Sequence, residues 1–223
     1  MPALQSWRVY YKRFLGLGWA RIFLVVGVLF TLLAILNPLW SSTLDRGGGD
    51  STTATYGWTT LTEVTYQGGA WSETRIQSYN ARAFDLHAVA NSMGASYVFG
   101  LIFFIVLIAA IGLFSIEWVH RLPSLGLLIV ALFVVAFALI ALFYPVLTVP
   151  SAAASDLQSP AITGYWGSAP AGSDTLSWGA GLGWWLLVIG VVFGILGGIW
   201  PFLKSMRQPM VRAPPPREWQ VER

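Results

Sequence analysis

Residues 55–84 read TYGWTTLTEVTYQGGAWSETRIQSYNARAF, and the alternation in this stretch decides how the rest of the chain is read. Tyr56, Trp58, Thr60, Thr62, Val64 and Tyr66 fall on one side, Thr55, Gly57, Thr59, Leu61, Glu63 and Thr65 on the other. This is the period of two expected of a half-buried strand, in a run rich in Thr, Tyr, Trp and Val. The glycines of QGGA at 67–70 supply a reversal. The alternation then resumes, with Trp71, Glu73, Arg75, Gln77 and Tyr79 on one side. The pattern predicts a β-hairpin. A hairpin alone is marginal in water, so LWSSTL at 39–44, ahead of the RGGGD turn, is expected to add a third strand. ARAFDLHAVANSMG at 81–94 follows as an amphipathic helical lead-in.

The surroundings have the opposite character. Of the 223 residues 56% are hydrophobic and 10% charged, and the mean hydropathy is +0.63. That is too apolar for an ordinary soluble domain. Four runs, about 19–40, 95–118, 124–147 and 179–203, each reach the roughly 20 residues that a helix needs to cross a bilayer. The first is longer than a signal-peptide core, and NPLWSSTLD after it offers no small-x-small cleavage site, so a retained helix is expected. The predicted fold is an all-α four-helix transmembrane bundle, residues 19–204, carrying a small extracellular antiparallel β-sheet in its first outer loop. Residues 1–18 and the Pro-rich basic tail 205–223 flank it.

Orientation follows from the basic residues. Arg8, Lys12, Arg13 and Arg21 lie before or at the start of the first run, Arg121 between the second and third, and Lys204, Arg207, Arg212, Arg217 and Arg223 after the fourth. Only Arg46, Arg75 and Arg82 fall between the first and second, and 148–178 has none. By the positive-inside rule both termini are cytoplasmic and the loops 41–93 and 148–178 face outward in a multi-pass cell-membrane protein. The sequence pI near 9.4 is then accounted for by basic flanks against anionic membrane lipids, and no nucleic-acid partner is expected.

Between the second and third runs only HRLPS at 120–124 is non-apolar, which makes those two helices antiparallel neighbours. Trp40, Trp19, Trp118, Trp178, Trp184, Trp185 and Trp200 sit near the ends of the runs, where interfacial belts are found. In the fourth run Gly190, Gly194 and Gly198 form a small-xxx-small row, with Gly183 a further heptad back. They are expected to let one other helix, either the first helix of the same chain or one from another protein, approach closely.

Candidate chemistry is sparse. The chain has no cysteine, so disulfides and thiolate chemistry are excluded. Asp85, His87 and Glu73 could be assembled into an acid–base or metal set. However, Asp85 and His87 at i and i+2 on a helix do not face each other, and the second histidine, His120, is expected across the membrane. Ionisable residues deep in the spans, the mark of pumps and ion-coupled carriers, are nearly absent. Glu117, beside Trp118, is expected at the interface. No catalytic residues, cofactor or metal are expected, and the chain is not expected to be an enzyme.

The layout resembles the claudin and peripheral myelin protein 22 superfamily of tetraspan proteins. NPLW with Trp40 ends the first helix, YGWTTL carries Gly57 and Trp58 where that family has its glycine–leucine–tryptophan signature, and NARAF precedes the second helix. The family's paired loop cysteines have no counterpart, and SAAASDLQSPAITGYWGSAPAGSD at 151–174 does not match its second loop. The resemblance implies cytoplasmic termini and a sheet in the first outer loop that supports assembly or adhesion. Trp58, Trp71, Glu73 and Arg75 are the expected interaction residues, with self-association or another membrane protein as the partner. The alternative expectation is a non-catalytic accessory subunit of a larger membrane enzyme or transporter.

Overall fold

The structure, a computed structural model, describes residues 18–81, 84–115, 124–159 and 161–207. The basic N-terminal segment, Arg82, the Glu117–Trp118 and His120–Arg121 pairs and the Pro-rich tail from residue 208 on lie outside the described residues, while residues 205–207, expected in the tail, are helical.

Four helices form the body: α1 (Gly18–Ile35), α2 (His87–Leu113), α3 (Ser124–Asp156) and α4 (Leu182–Arg207). All four are long and apolar enough to cross a membrane. They pack as a closed ring in which α1 touches α4 and α2, and α3 touches the other sides of α2 and α4. Each helix is predominantly apolar, the composition of a helix able to cross a membrane. The buried stripe of α1, Ala20, Arg21, Leu24, Gly27, Thr31 and Ala34, is set by packing, while Leu29, Leu32, Leu33 and Leu36 face outward.

Helix ends differ from the expected ones for identifiable reasons. The separate lead-in helix is instead the first two turns of α2, which starts at His87 and runs without a break into the apolar span. α3 continues past Pro145 and Pro150 to Asp156. Prolines are tolerated in apolar helices where neighbouring groups compensate the backbone. Here the extension is tied to α2: the Ser92 and Thr148 hydroxyls are 2.7 Å apart, and the Val89 N–H donates to Asp156 Oδ2 at 2.7 Å. A carboxylate is unfavourable at the C-terminus of its own helix, but here it satisfies an orphan donor at the N-terminus of α2. α1 stops at Ile35, before Pro38, and Trp40 begins a strand instead of ending the helix.

The sheet is larger than the hairpin and third strand expected from the sequence. It has six strands, β1 (Trp40–Gly47), β2 (Asp50–Tyr56), β3 (Thr60–Gln67), β4 (Ala70–Ser78), β5 (Gly167–Ala171) and β6 (Asp174–Ala180), all antiparallel, in the order β4-β3-β2-β1-β6-β5. The LWSSTL strand is present as β1. The long alternating run 55–66 is not one strand but the end of β2, a tight link at Gly57–Thr59 and the start of β3. Residues 179 and 180, expected in the fourth helix, end β6.

One end of the sheet rests on the bundle. In register along that row lie Ala180, Trp40, Tyr56, Leu61 and Gln77. The hairpin tips lie at the far end. Two of them are tied together there: the Gly69 N–H donates to Gly49 O at 2.8 Å and the Gly68 N–H to Asp50 Oδ1 at 2.6 Å. Gly49, at φ +90°, has no room for a side chain, since a Cβ would lie 2.6 Å from Gly69 N.

The glycine row of α4 is divided among three neighbours. Residues four apart advance by about 40° around a helix, whereas residues seven apart drift by only about 20°. A Cβ at Gly190 would meet Thr31 of α1, one at Gly194 would meet Leu107 and Phe103 of α2, and one at Gly198 would meet Val134 of α3. The close seam with α1 follows the heptad spacing Gly183, Gly190, Gly197. There a Cβ would fall 2.5 Å from Asn37 O, 3.1 Å from Thr31 N and 2.8 Å from Ala20 O, respectively. Gly27 completes it from α1, its missing Cβ 3.1 Å from Gly194 N.

Candidate interaction surface

The sheet divides into a base that is locked to the helices and an edge that is not. Trp58 belongs to the base. It was expected among the exposed interaction residues, yet it is only 4% exposed. Its indole N–H donates to Ala34 O at 2.8 Å and Asn37 O at 3.1 Å. These carbonyls lie where α1 runs out of its own donors, so a side chain from the β2–β3 link caps the helix. Gly100 of α2 leaves room for the ring, which stands 3.4 Å from where its Cβ would be.

Trp40 is likewise buried, not interfacial. Its N–H donates to Tyr165 O at 2.9 Å while the Tyr165 hydroxyl donates to Leu39 O at 3.0 Å. This reciprocal pair joins the first loop to the second. Trp178, facing the same way on β6, donates to Gly164 O at 2.8 Å. Tyr79 donates to Gly57 O at 2.9 Å and packs on Phe84, with ring centroids 5.1 Å apart. Burial pushes the phenol pKa values of Tyr56, Tyr79 and Tyr165 up from 10.0, so these hydroxyls stay neutral, and those of Tyr79 and Tyr165 donate.

Beside this base, a cleft of about 460 Å³ opens between the end of α1 and the β2–β3 link. Ile35, Leu36 and Tyr97 line one side and Thr55, Thr60 and Thr62 the other.

The edge strand β4 is exposed along nearly its whole length. The register with β3 pairs Thr65 with Glu73 but Tyr66 with Trp71, leaving Ser72 as a bulge. A bulge adds one residue and so reverses the facing of everything beyond it. Trp71 therefore does not share a face with Glu73 and Arg75, as simple alternation suggests. It lies on the face of Thr74, to which its N–H donates at 2.9 Å, with Tyr66 opposite it and Ile76 farther along the same face. Trp71 is 64% and Ile76 68% exposed. Glu73 and Arg75 remain together on the opposite face. The Arg75 guanidinium lies against the Gln77 side-chain amide. Among the described residues neither Glu73 nor Arg75 forms an ion pair, and the one that is present links Arg46 to Asp174 at 4.0 Å.

Of the expected interaction residues, the structure thus brings Trp71, Glu73 and Arg75 onto one free strand and removes Trp58 from it. Tyr66, which the alternation names, and Ile76, which it does not, join the surface. Among the described residues no group of three or more His, Asp or Glu comes together as a metal site. No protein-family model matches the chain, and no curated protein matches its sequence.

Proposed function

We propose that this chain is a multi-pass membrane protein whose sheet projects from the outer face and mediates protein–protein association, with both termini cytoplasmic. The observation that carries the reading is the contrast within the sheet: a base fixed by buried tryptophan and tyrosine hydrogen bonds, and an edge presenting Trp71, Ile76, Glu73 and Arg75 to solvent. Aromatic and arginine side chains on a rigid support contribute disproportionately to interfaces, and exposed edge strands invite pairing unless covered. The basic residues flanking the helices support the orientation. The self-association or adhesion implied by the claudin resemblance agrees with this reading, and the chain contributes no chemistry of its own.

Two measurements on one variant test it. Replacing Trp71, Glu73 and Arg75 together by Ala is expected to abolish association, read by native mass spectrometry of the gently solubilised protein, while thermal stability stays nearly unchanged. Intact assembly in the triple variant overturns the reading. Orientation is tested separately in this cysteine-free chain. Cysteines at Gln67 and Ser168 are expected to react with an impermeant maleimide on intact cells, and one at Lys204 is not.

A further inference from the structure

We propose that the occupant of the free sheet edge is a second copy of the same strand, paired antiparallel about Thr74 and reaching across from a facing membrane. The inference rests on the association proposed above and names its partner and geometry.

β4 is an edge strand of nine residues, and among the described residues its outward backbone groups have no partner strand. In an antiparallel pair of identical strands, residues opposite each other sum to a constant, and side chains on one face meet only their own face. Placing the two-fold at Thr74 sets Glu73 opposite the partner's Arg75 and Arg75 opposite the partner's Glu73. Sliding the pair by two residues sets Glu73 against the partner's Glu73, or Arg75 against the partner's Arg75. Like charges directly opposite are destabilising and opposite charges favourable, so one register is selected.

The bulge gives the other face the same complementarity. In this register position 72 lies opposite the partner's Ile76. The bulge moves Trp71 onto that face, which it shares with Thr74 and Ile76. Each exposed indole therefore lies against the partner's Ile76, and the two most exposed apolar side chains of the strand cover one another. Both faces of one strand favour the same two-fold.

Antiparallel pairing also fixes where the two bundles lie. β4 starts at the hairpin tip beside Gly68–Gly69 and ends at Ser78, next to the helices. An antiparallel partner runs the other way, so its helices sit beyond the opposite end. The bundles face each other, separated by one strand length, about 30 Å for nine residues. A single strand pair is a small contact, and many acting between two membranes supply the strength.

The full chain in phosphatidylcholine vesicles tests this by clustering, followed as light scattering. E73R carries two basic residues and R75E two acidic ones, so each is mismatched with itself and matched with the other. Wild-type vesicles are expected to cluster, and each variant alone to cluster about tenfold less or weaker still. A mixture of E73R vesicles with R75E vesicles should recover the wild-type rate. Failure of the mixture to recover, with both variants as thermally stable as wild type, overturns the pairing. T74C provides a check without charge changes: it should form an intermolecular disulfide that holds vesicles together until reductant is added. Wild-type vesicles that cluster regardless of the charge reversals overturn the strand register and leave sheet-mediated association standing. Wild-type protein that neither clusters vesicles nor self-associates in detergent overturns both.

Discussion

Trp58 and Trp71 lie at opposite ends of β3 and its flanking turns, and they behave as residues of different proteins. Trp58 is sealed between α1 and α2 with its N–H shared by two carbonyls. Trp71 lies on solvent with its N–H held by a neighbouring threonine. The difference does not reside in the side chain or its local sequence, since both follow a glycine within two residues. What separates them is distance from the helices: the base row is in reach of the carbonyls at the end of α1, whereas among the described residues the free edge has no neighbour beyond its own sheet. Burial makes a tryptophan part of the scaffold, and exposure on a rigid scaffold makes it available to a partner.

The comparison can be broken most directly at its buried member. Trp58→Ala is expected to lose about 3–5 kcal/mol, since it empties a buried site and removes the indole donor from Ala34 O and Asn37 O. Thermal unfolding of the purified protein measures it, and a shift no larger than that of Trp71→Ala would dissolve the distinction. In the helices the corresponding contrast is between Gly197 and Gly194. Gly197→Ala pushes a methyl into the backbone of α1, and a cost of about 1–3 kcal/mol is expected. Gly194→Ala meets the ends of Phe103 and Leu107, which can shift, and should cost less. Equal losses would show that the seam is not organised by heptads.

A milder effect is expected with pH. The folded pKa values of Tyr56, Tyr79 and Tyr165 are raised above 10.0, so their contribution is fully present below pH 10 and lost as pH rises beyond it. The base should therefore loosen in alkali, with tyrosinate absorbance appearing together with loss of folded signal. Tyrosinate that forms with no change in stability would place these hydroxyls outside the anchor. The smallest effect sharpens the other side of the contrast. Trp71→Ala is expected to change stability by no more than about 0.5 kcal/mol, as for other surface positions.

How much of this was legible depended on whether the deciding partner was near in sequence. The four helices were readable from their apolar runs, and β3, β4 and their Gly68–Gly69 turn from alternation. β5 and β6 were not. GSAPA contains a proline and small residues that favour no strand, and it is tolerated because β5 lies at an edge. β6 exists through pairing with β1, where Ser42 meets Trp178 across more than half the chain. The bulge at Ser72 left no trace in the alternation, so Trp71 was placed on the wrong face. Gly197 escaped notice for a different reason. A four-residue repeat is easily seen, but the heptad repeat is the one that stays on a single neighbour, and the Gly183–Gly190 interval was the signal that could have found it.

The union of the two loops in one sheet also determines how the molecule would carry a load. β1 continues from α1 and β6 leads into α4, and these two strands lie side by side inside the sheet. A pull applied along β4 therefore travels across the sheet to strands held at their base. It acts along the strand axes and loads whole ladders of hydrogen bonds together, whereas a sideways pull would peel them singly. The tied hairpin tips at Gly49 and Gly69 oppose fraying at the far end. A sheet drawn from the first loop alone would hang from α1 and α2. This one distributes tension over α1, α2 and α4, and so behaves as a stiff post rather than a hinged flap.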